Sequence, residues 1–339
     1  MWYKGWAVRR SWMGYFGFVA LLHAAGFAGL FLAWRSEPAM LSMGLLAYSL
    51  GLRHAFDADH IAAIDNTVRK LLEQKRSPMG VGFYFSLGHS SVVFLLVVAI
   101  AFSVHGIQSN MPLFERVGGV VGASVSGVFL VFIGAMNLFV LIGMLRTMRK
   151  LRRGDIRAEE IGGEHAHGGW LSKLTKPLLR FVGRSWHVYP LGFLFGLGFD
   201  TATEIGLLAM SAGAAQHSVS VLGILSLPIL FAAGMSLMDT ADGMFMTNAY
   251  RWAFSDPIRK LRYNAAVTAV SVAAALLIGT VELIQVLAEQ FRLRAAFFRW
   301  IEGLGFGALG YGLVLLFLLA WVVSMLVWKG LKPQKRFTA

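Results

Sequence analysis

The sequence predicts an all-α integral membrane protein of about eight transmembrane helices, with both termini in the cytoplasm. Three observations predict it. Hydrophobic residues make up 57% of the 339 positions and charged residues only 14%, against about 25% charged in a soluble domain. Mean hydropathy is +0.63, and apolar runs of the roughly 20 residues needed to cross the hydrocarbon core recur along the chain. The Lys and Arg residues that give the net charge of +13 sit at the ends of those runs, mostly on one side.

The spans fall at about 11–34, 39–67, 79–104, 118–145, 187–212, 219–248, 264–288 and 304–328. The first follows a basic segment, Met1 to Arg10, as in a signal peptide. It has no small-x-small cleavage site before Trp34 and Arg35, so it is expected to be a retained helix. The second and sixth spans are interrupted by polar residues, and polar membrane segments face a protected cavity. One side of the membrane receives Lys4, Arg9 and Arg10, then Arg69, Lys70, Lys75 and Arg76, then ten bases in 146–186, then Arg251, Arg259, Lys260 and Arg262, then Lys329, Lys332, Lys335 and Arg336. The other side receives Arg35, Arg116, Arg292, Arg294 and Arg299. The positive-inside rule assigns the richer side, with both termini, to the cytoplasm. The whole chain, 1–339, is expected to form one polytopic domain in the inner membrane. Residues 146–186 are its charged cytoplasmic central loop, between helices 4 and 5. His165 and His167 in that loop are read as part of a solvated linker.

Composition excludes several classes of function. With no cysteine there is no disulfide framework, thiolate zinc site or iron–sulfur cluster. The bases flank spans rather than gather on one element, so they report topology and a lipid-bilayer partner, not nucleic acid. No G-x-x-x-x-G-K-[ST] is present, so no ATPase function is evident, and energy must come from a gradient or a partner.

The chemistry lies inside the membrane. The spans carry Asp57, Asp59, Asp65, Asp200, Glu204, Asp239, Asp242 and Glu282, against one base, Arg53. An ionised residue at mid-bilayer costs roughly 2.5–3.5 kcal/mol on insertion scales, so the set costs on the order of 10–20 kcal/mol unless the acids face one another or a wet path. A chain of net charge +13 with a negative membrane core is suited to admitting cations. The densest segment is Gly51-Leu-Arg-His54-Ala-Phe-Asp57-Ala-Asp59-His60. On a regular helix with His54 at 0°, Asp57 falls at about 300° and His60 at about 240°, on one face, while Asp59 falls at about 140°. Either the helix is regular and Asp57 joins the two His, or it is unwound and Asp59 turns in. Gly51 permits a break, and broken helices are common at transporter sites. Arg53 and Asp57, at i and i+4, are spaced to pair.

Three further segments match the first in character: Ser86-Leu-Gly88-His89-Ser90-Ser91, Asp200-Thr-Ala-Thr203-Glu204, and Ser236-Leu-Met-Asp239-Thr-Ala-Asp242. Asp200 and Glu204 share a helix face, as do Asp239 and Asp242. His23 and His89 serve equally well as metal ligands or as hydrogen-bonded helix contacts. Phe56-Asp57 in span two is similar to Phe199-Asp200 in span five. The two spans cross in opposite directions, which suggests an inverted repeat with the site between its halves.

These four motifs, in this order, resemble the nickel/cobalt transporter (NiCoT) permeases, whose hallmark in the second helix reads here Arg53-His54-Ala55-Phe56-Asp57-Ala58-Asp59-His60-Ile61. The resemblance implies secondary, high-affinity uptake of Ni²⁺ or Co²⁺ as transported substrate, with no permanent cofactor and no enzyme activity. It implies that His54, Asp59 and His60 are essential. His23 with Phe56 matches the pairing of members that accept cobalt as well as nickel. The expected metal set is His54, Asp57, Asp59, His60, His89 and His23, with Asp200, Thr203, Glu204, Asp239 and Asp242 along the path. The rival readings are an efflux permease of the same superfamily, a proton-coupled carrier of another cation, and an intramembrane metalloenzyme. The last lacks H-E-x-x-H and the many His of a di-iron site.

Overall fold

The computed structural model describes residues 2–102, 111–153, 183–197, 202–216, 219–253 and 257–304, with short runs between 310 and 322. Every regular element among the described residues is helical: α1 (Trp2–Trp34), α2 (Ala39–His54), α3 (Ala58–Glu73), α4 (Val81–Phe102), α5 (Met111–Arg153), a 3₁₀ turn at Ser185–His187, α6 (Val188–Phe195), α7 (Ala202–Gln216), α8 (Val221–Ala253), α9 (Pro257–Gln290) and α10 (Ala296–Glu302). Among the described residues, five stretches are long and apolar enough to cross a bilayer: Trp12–Trp34, Val81–Phe102, Gly119–Arg153, Val221–Tyr250 and Ala265–Gln290. The chain is an all-α membrane protein. Met13, Leu21, Leu32, Leu45 and Leu95 face outward, as apolar side chains do when the surrounding solvent is lipid.

The second expected span is two helices. α2 tightens at its end, with Phe56 N–H donating to the Arg53 carbonyl (3.0 Å) and Asp57 N–H to the His54 carbonyl (2.9 Å), the i→i+3 pattern of a closing helix. Asp57 then turns extended (ψ 142°) and becomes the N-cap position of α3. The fifth expected span is likewise divided: α6 ends at Phe195, a turn follows at Gly196 and Leu197, and α7 begins at Ala202. Asp200 lies outside the described residues, as does most of the 146–186 loop with His165 and His167. The first part of that loop is helical, because α5 runs on to Arg153. At about 1.5 Å per residue, α5 is about twice as long as a bilayer core is thick.

Apolar side chains from α1, α2, α4, α7 and α8 form one core, and α3, α4, α6, α8 and α9 enclose a second. Arg69 and Lys70, which the sequence placed in a loop, lie in the last turns of α3 and are buried. Arg69 is held by Asp65 (3.5 Å) and Asn66 (2.7 Å). Asn66 also receives the amide of Asn137 on α5. Asp65 accepts hydrogen bonds from Tyr250 on α8 and Ser271 on α9. Four helices are thus tied together by one buried polar network below the helix break.

Candidate metal-binding site

The break between α2 and α3 brings two imidazoles together that a regular helix would hold further apart along its axis. His54 is the last residue of α2 and His60 the third of α3. His89 reaches them from the middle of α4. The three ring centroids form a nearly equilateral triangle with sides of 4.7, 4.7 and 4.8 Å. One nitrogen from each ring lies within 4.8 Å of the others. His54, His60 and His89 are 2%, 0% and 3% exposed, so water does not solvate them. Phe85 stands edge-on to His60 at 4.8 Å, and Phe231 packs against His54 at 5.5 Å.

Carboxylates surround the triangle. Asp57 Oδ2 lies 2.9 Å from His54 Nδ1, so that nitrogen donates its proton to Asp57 and Nε2 is left for a ligand. The Thr203 hydroxyl lies 3.1 Å from the same Nδ1. Glu204 Oε1 is 2.8 Å from His89 Nε2 and 3.8 Å from His54 Nε2. Asp239 Oδ2 is 3.4 Å from His60 Nδ1. Neither ring nitrogen of His60 and neither oxygen of Asp239 has a hydrogen-bond partner among the described residues. Buried polar atoms in native proteins nearly always have partners. His54 Nε2 and His89 Nε2, 2.9 Å apart, would set two lone pairs facing unless a proton or a cation lies between them. All of these features fit a divalent cation held by imidazole and charge-balanced by carboxylate.

The remaining candidates are placed as follows. Asp59 is in the first turn of α3, partly buried beside His60. Asp242 lines a cavity of about 200 Å³ with Ala55, Phe56, Ile61, Met238, Ala241 and Phe245, against the break. Arg53 is exposed, and the partner of Asp57 is His54 rather than Arg53. His23 stands outside the imidazole triangle. Its Nδ1 meets the Val19 carbonyl (2.8 Å) and its Nε2 the Tyr48 hydroxyl (3.2 Å). Phe56 stacks on Tyr311 at 4.8 Å. Sequence reasoning assigned no role to Phe85, at the head of the His89 segment, or to Phe231, which reads as an ordinary membrane residue. It also missed the Asn66–Asn137 contact, whose signal is a lone Asn within an apolar run of α5.

Residues 40–327 match the family described as "High-affinity nickel-transport protein" (NicO). The chain belongs to this family. It is 55% identical to the "Nickel transporter NixA" of Staphylococcus aureus, over 95% of each chain. It is 49% identical to the "High-affinity nickel-transport protein NixA" of Helicobacter pylori, over 94% of this chain and 97% of that one. A more distant relative, the "Cobalt transport protein NhlF" of Rhodococcus rhodochrous, is 38% identical over 96% of this chain and 94% of its own. No solved structure matches the chain. The region matched to the family spans α2 through the last described helical positions and includes the whole imidazole triangle. Membership marks the chain as a multi-pass cell-membrane transporter rather than an enzyme.

Proposed function

We propose that this protein imports Ni²⁺, and Co²⁺ alongside it, by secondary transport across the cytoplasmic membrane. The observation that carries the reading is the buried triangle of His54, His60 and His89 at a helix break, ringed by Asp57, Glu204 and Asp239. Neutral imidazole suits first-row divalent ions of this kind, and the adjacent carboxylates orient the rings and raise their basicity. The names of the relatives, nickel transporters with one cobalt transporter, support the same substrates. The ion sheds part of its water shell, exchanges it for the three imidazoles, and leaves past Asp239 and Asp242 on α8. The two carboxyl groups are one turn apart on α8, so they offer successive oxygen ligands. Asp59 adds negative charge at the N-terminus of α3, offsetting the positive end of the helix dipole that would otherwise repel the ion.

The test is cellular metal content by mass spectrometry at trace nickel and cobalt, in cells expressing the protein or His54→Ala. Import predicts accumulation that the variant abolishes. A fall in metal on expression of the unaltered chain would mean export through the same site.

A further inference from the structure

The packing of α2 on α8 is repeated by the packing of α6 on α4. Gly51 of α2 lies against the backbone of Phe231, and Gly234 of α8 lies against the Tyr48 carbonyl and Leu52 amide. Gly192 of α6 lies against the backbone of Phe85, and Gly88 of α4 lies against the Tyr189 carbonyl and Phe193 amide. Both pairs join a Tyr-x-x-Gly helix to a Phe-x-x-Gly helix, and the corresponding atoms touch. Small residues at such points let helix backbones approach closely. The aromatic contacts repeat as well. His54 packs on Phe231 at 5.5 Å, and Phe195, at the matching place on α6, packs on Phe85 at 5.2 Å. Beyond that contact each helix ends, and a second one starts: α3 with Ala58-Asp-His60-Ile, α7 with Ala202-Thr-Glu204-Ile. α4 and α8 run antiparallel, since Ser86 meets Ser236 (3.0 Å) and Gly82 meets Asp239. The halves α2–α4 and α6–α8 therefore have the same plan in opposite directions, each first helix seated on the other half's third.

In that plan Glu204 lies in the first described turn of α7, as His60 lies in the first turn of α3. We propose that Glu204 is a direct ligand of the transported ion, contributed by the second half of an inverted repeat, so that the ion is gripped between the halves. This rests on the metal-transport reading. A second observation supports it independently of the repeat. Ligands about 2.1 Å from a metal lie roughly 3.0–3.4 Å from one another. His54 Nε2, His89 Nε2 and Glu204 Oε1 are spaced 2.9, 2.8 and 3.8 Å apart, close to the edges of such a polyhedron. A site with ligands from both halves loses part of its ligand set when the halves move relative to one another, which gives alternating access a way to release a tightly held ion.

The test is nickel K-edge X-ray absorption on purified, nickel-loaded protein, together with nickel affinity, for the unaltered chain, Glu204→Gln and Glu204→His. The unaltered chain is expected to show three imidazoles plus oxygen ligands. Glu204→His is expected to show one imidazole more, and Glu204→Gln to bind at least ~10-fold more weakly, since losing even an outer partner of a metal ligand costs that much. An unchanged imidazole number in Glu204→His, or unchanged affinity in Glu204→Gln, would overturn the proposal while leaving the triangle standing. Absence of bound nickel in the unaltered chain would overturn both. Should these two variants not fold, Glu204→Asp decides: it must keep the oxygen ligand but bind more weakly, and wild-type affinity would count against a direct bond.

Discussion

The carboxylate of Asp57 lies 2.9 Å from Nδ1 of His54, across the last, tightened turn of α2, just before the chain extends into α3. Asp57 fixes the tautomer that presents Nε2 of His54 toward His89. Asp57→Asn is expected to lower nickel affinity by roughly 10- to 100-fold, as loss of such a supporting carboxylate does. Initial-rate uptake would show the loss as a raised KM, and Asp57→Glu should recover part of it.

Proton competition follows from the same three rings. An imidazole ligates only when neutral, and the free side chain titrates at about 6.5. Lowering the pH adds protons to the metal-free site and not to the loaded one, so affinity must fall with acidification and level off in the alkaline range. Nickel binding to the purified protein between roughly pH 8 and pH 5 measures this. Tighter binding in acid would contradict imidazole ligation.

The Asp65–Arg69 network makes a prediction about folding. Asp65 is 0% exposed and Arg69 1%. Removing one partner of a buried ion pair leaves the other charge uncompensated, at a cost of about 3–5 kcal/mol. Asp65→Ala should therefore lower the thermal midpoint in detergent sharply, whereas Asp65→Ala with Arg69→Met should recover much of it. A double variant no more stable than the single one would show that the pair is not the source of the loss.

His23 is expected to bear on selectivity rather than on binding as such. It touches Tyr48 on α2 and not the imidazole triangle. His23→Asn is expected to change the ratio of nickel to cobalt taken up, read by paired isotope uptake, while the purified variant still binds one nickel ion. Complete loss of binding would place His23 among the ligands.

The membrane class and the motifs could be read from the sequence because charge within lipid is so costly that each buried acid or His stands out against an apolar background. The break at Ala55–Asp57 was open in the sequence. Helical spacing allowed Asp57 beside the His pair in a regular helix, and Gly51 allowed an unwound one. The structure combines the two: the helix breaks, and Asp57 is still the residue that meets His54. What spacing alone did not give was the meeting of His54, His89 and Glu204, which come from three helices far apart in the chain. The walls, Phe85 and Phe231, were unreadable for a related reason: an aromatic residue in a membrane helix has no sequence signature that separates a site wall from a lipid contact. The buried position of Arg69 was missed because a base near the end of a span is ordinarily outside it. Here Asp65, Asn66 and Asn137 supply the partners that allow it to remain within the fold.

The most direct test of the imidazole triangle is equilibrium binding of radioactive nickel to the purified protein in detergent, comparing the unaltered chain with His60→Ala. Among the described residues neither ring nitrogen of the fully buried His60 has a hydrogen bond, so its removal breaks none, and a melting curve shows whether the cavity left behind is tolerated. The unaltered protein is expected to bind one nickel ion per chain, and a His60→Ala protein that melts normally to bind at least ~100-fold more weakly, a loss of about 2.7 kcal/mol. A folded His60→Ala variant that binds nickel as tightly as the unaltered chain would contradict the triangle.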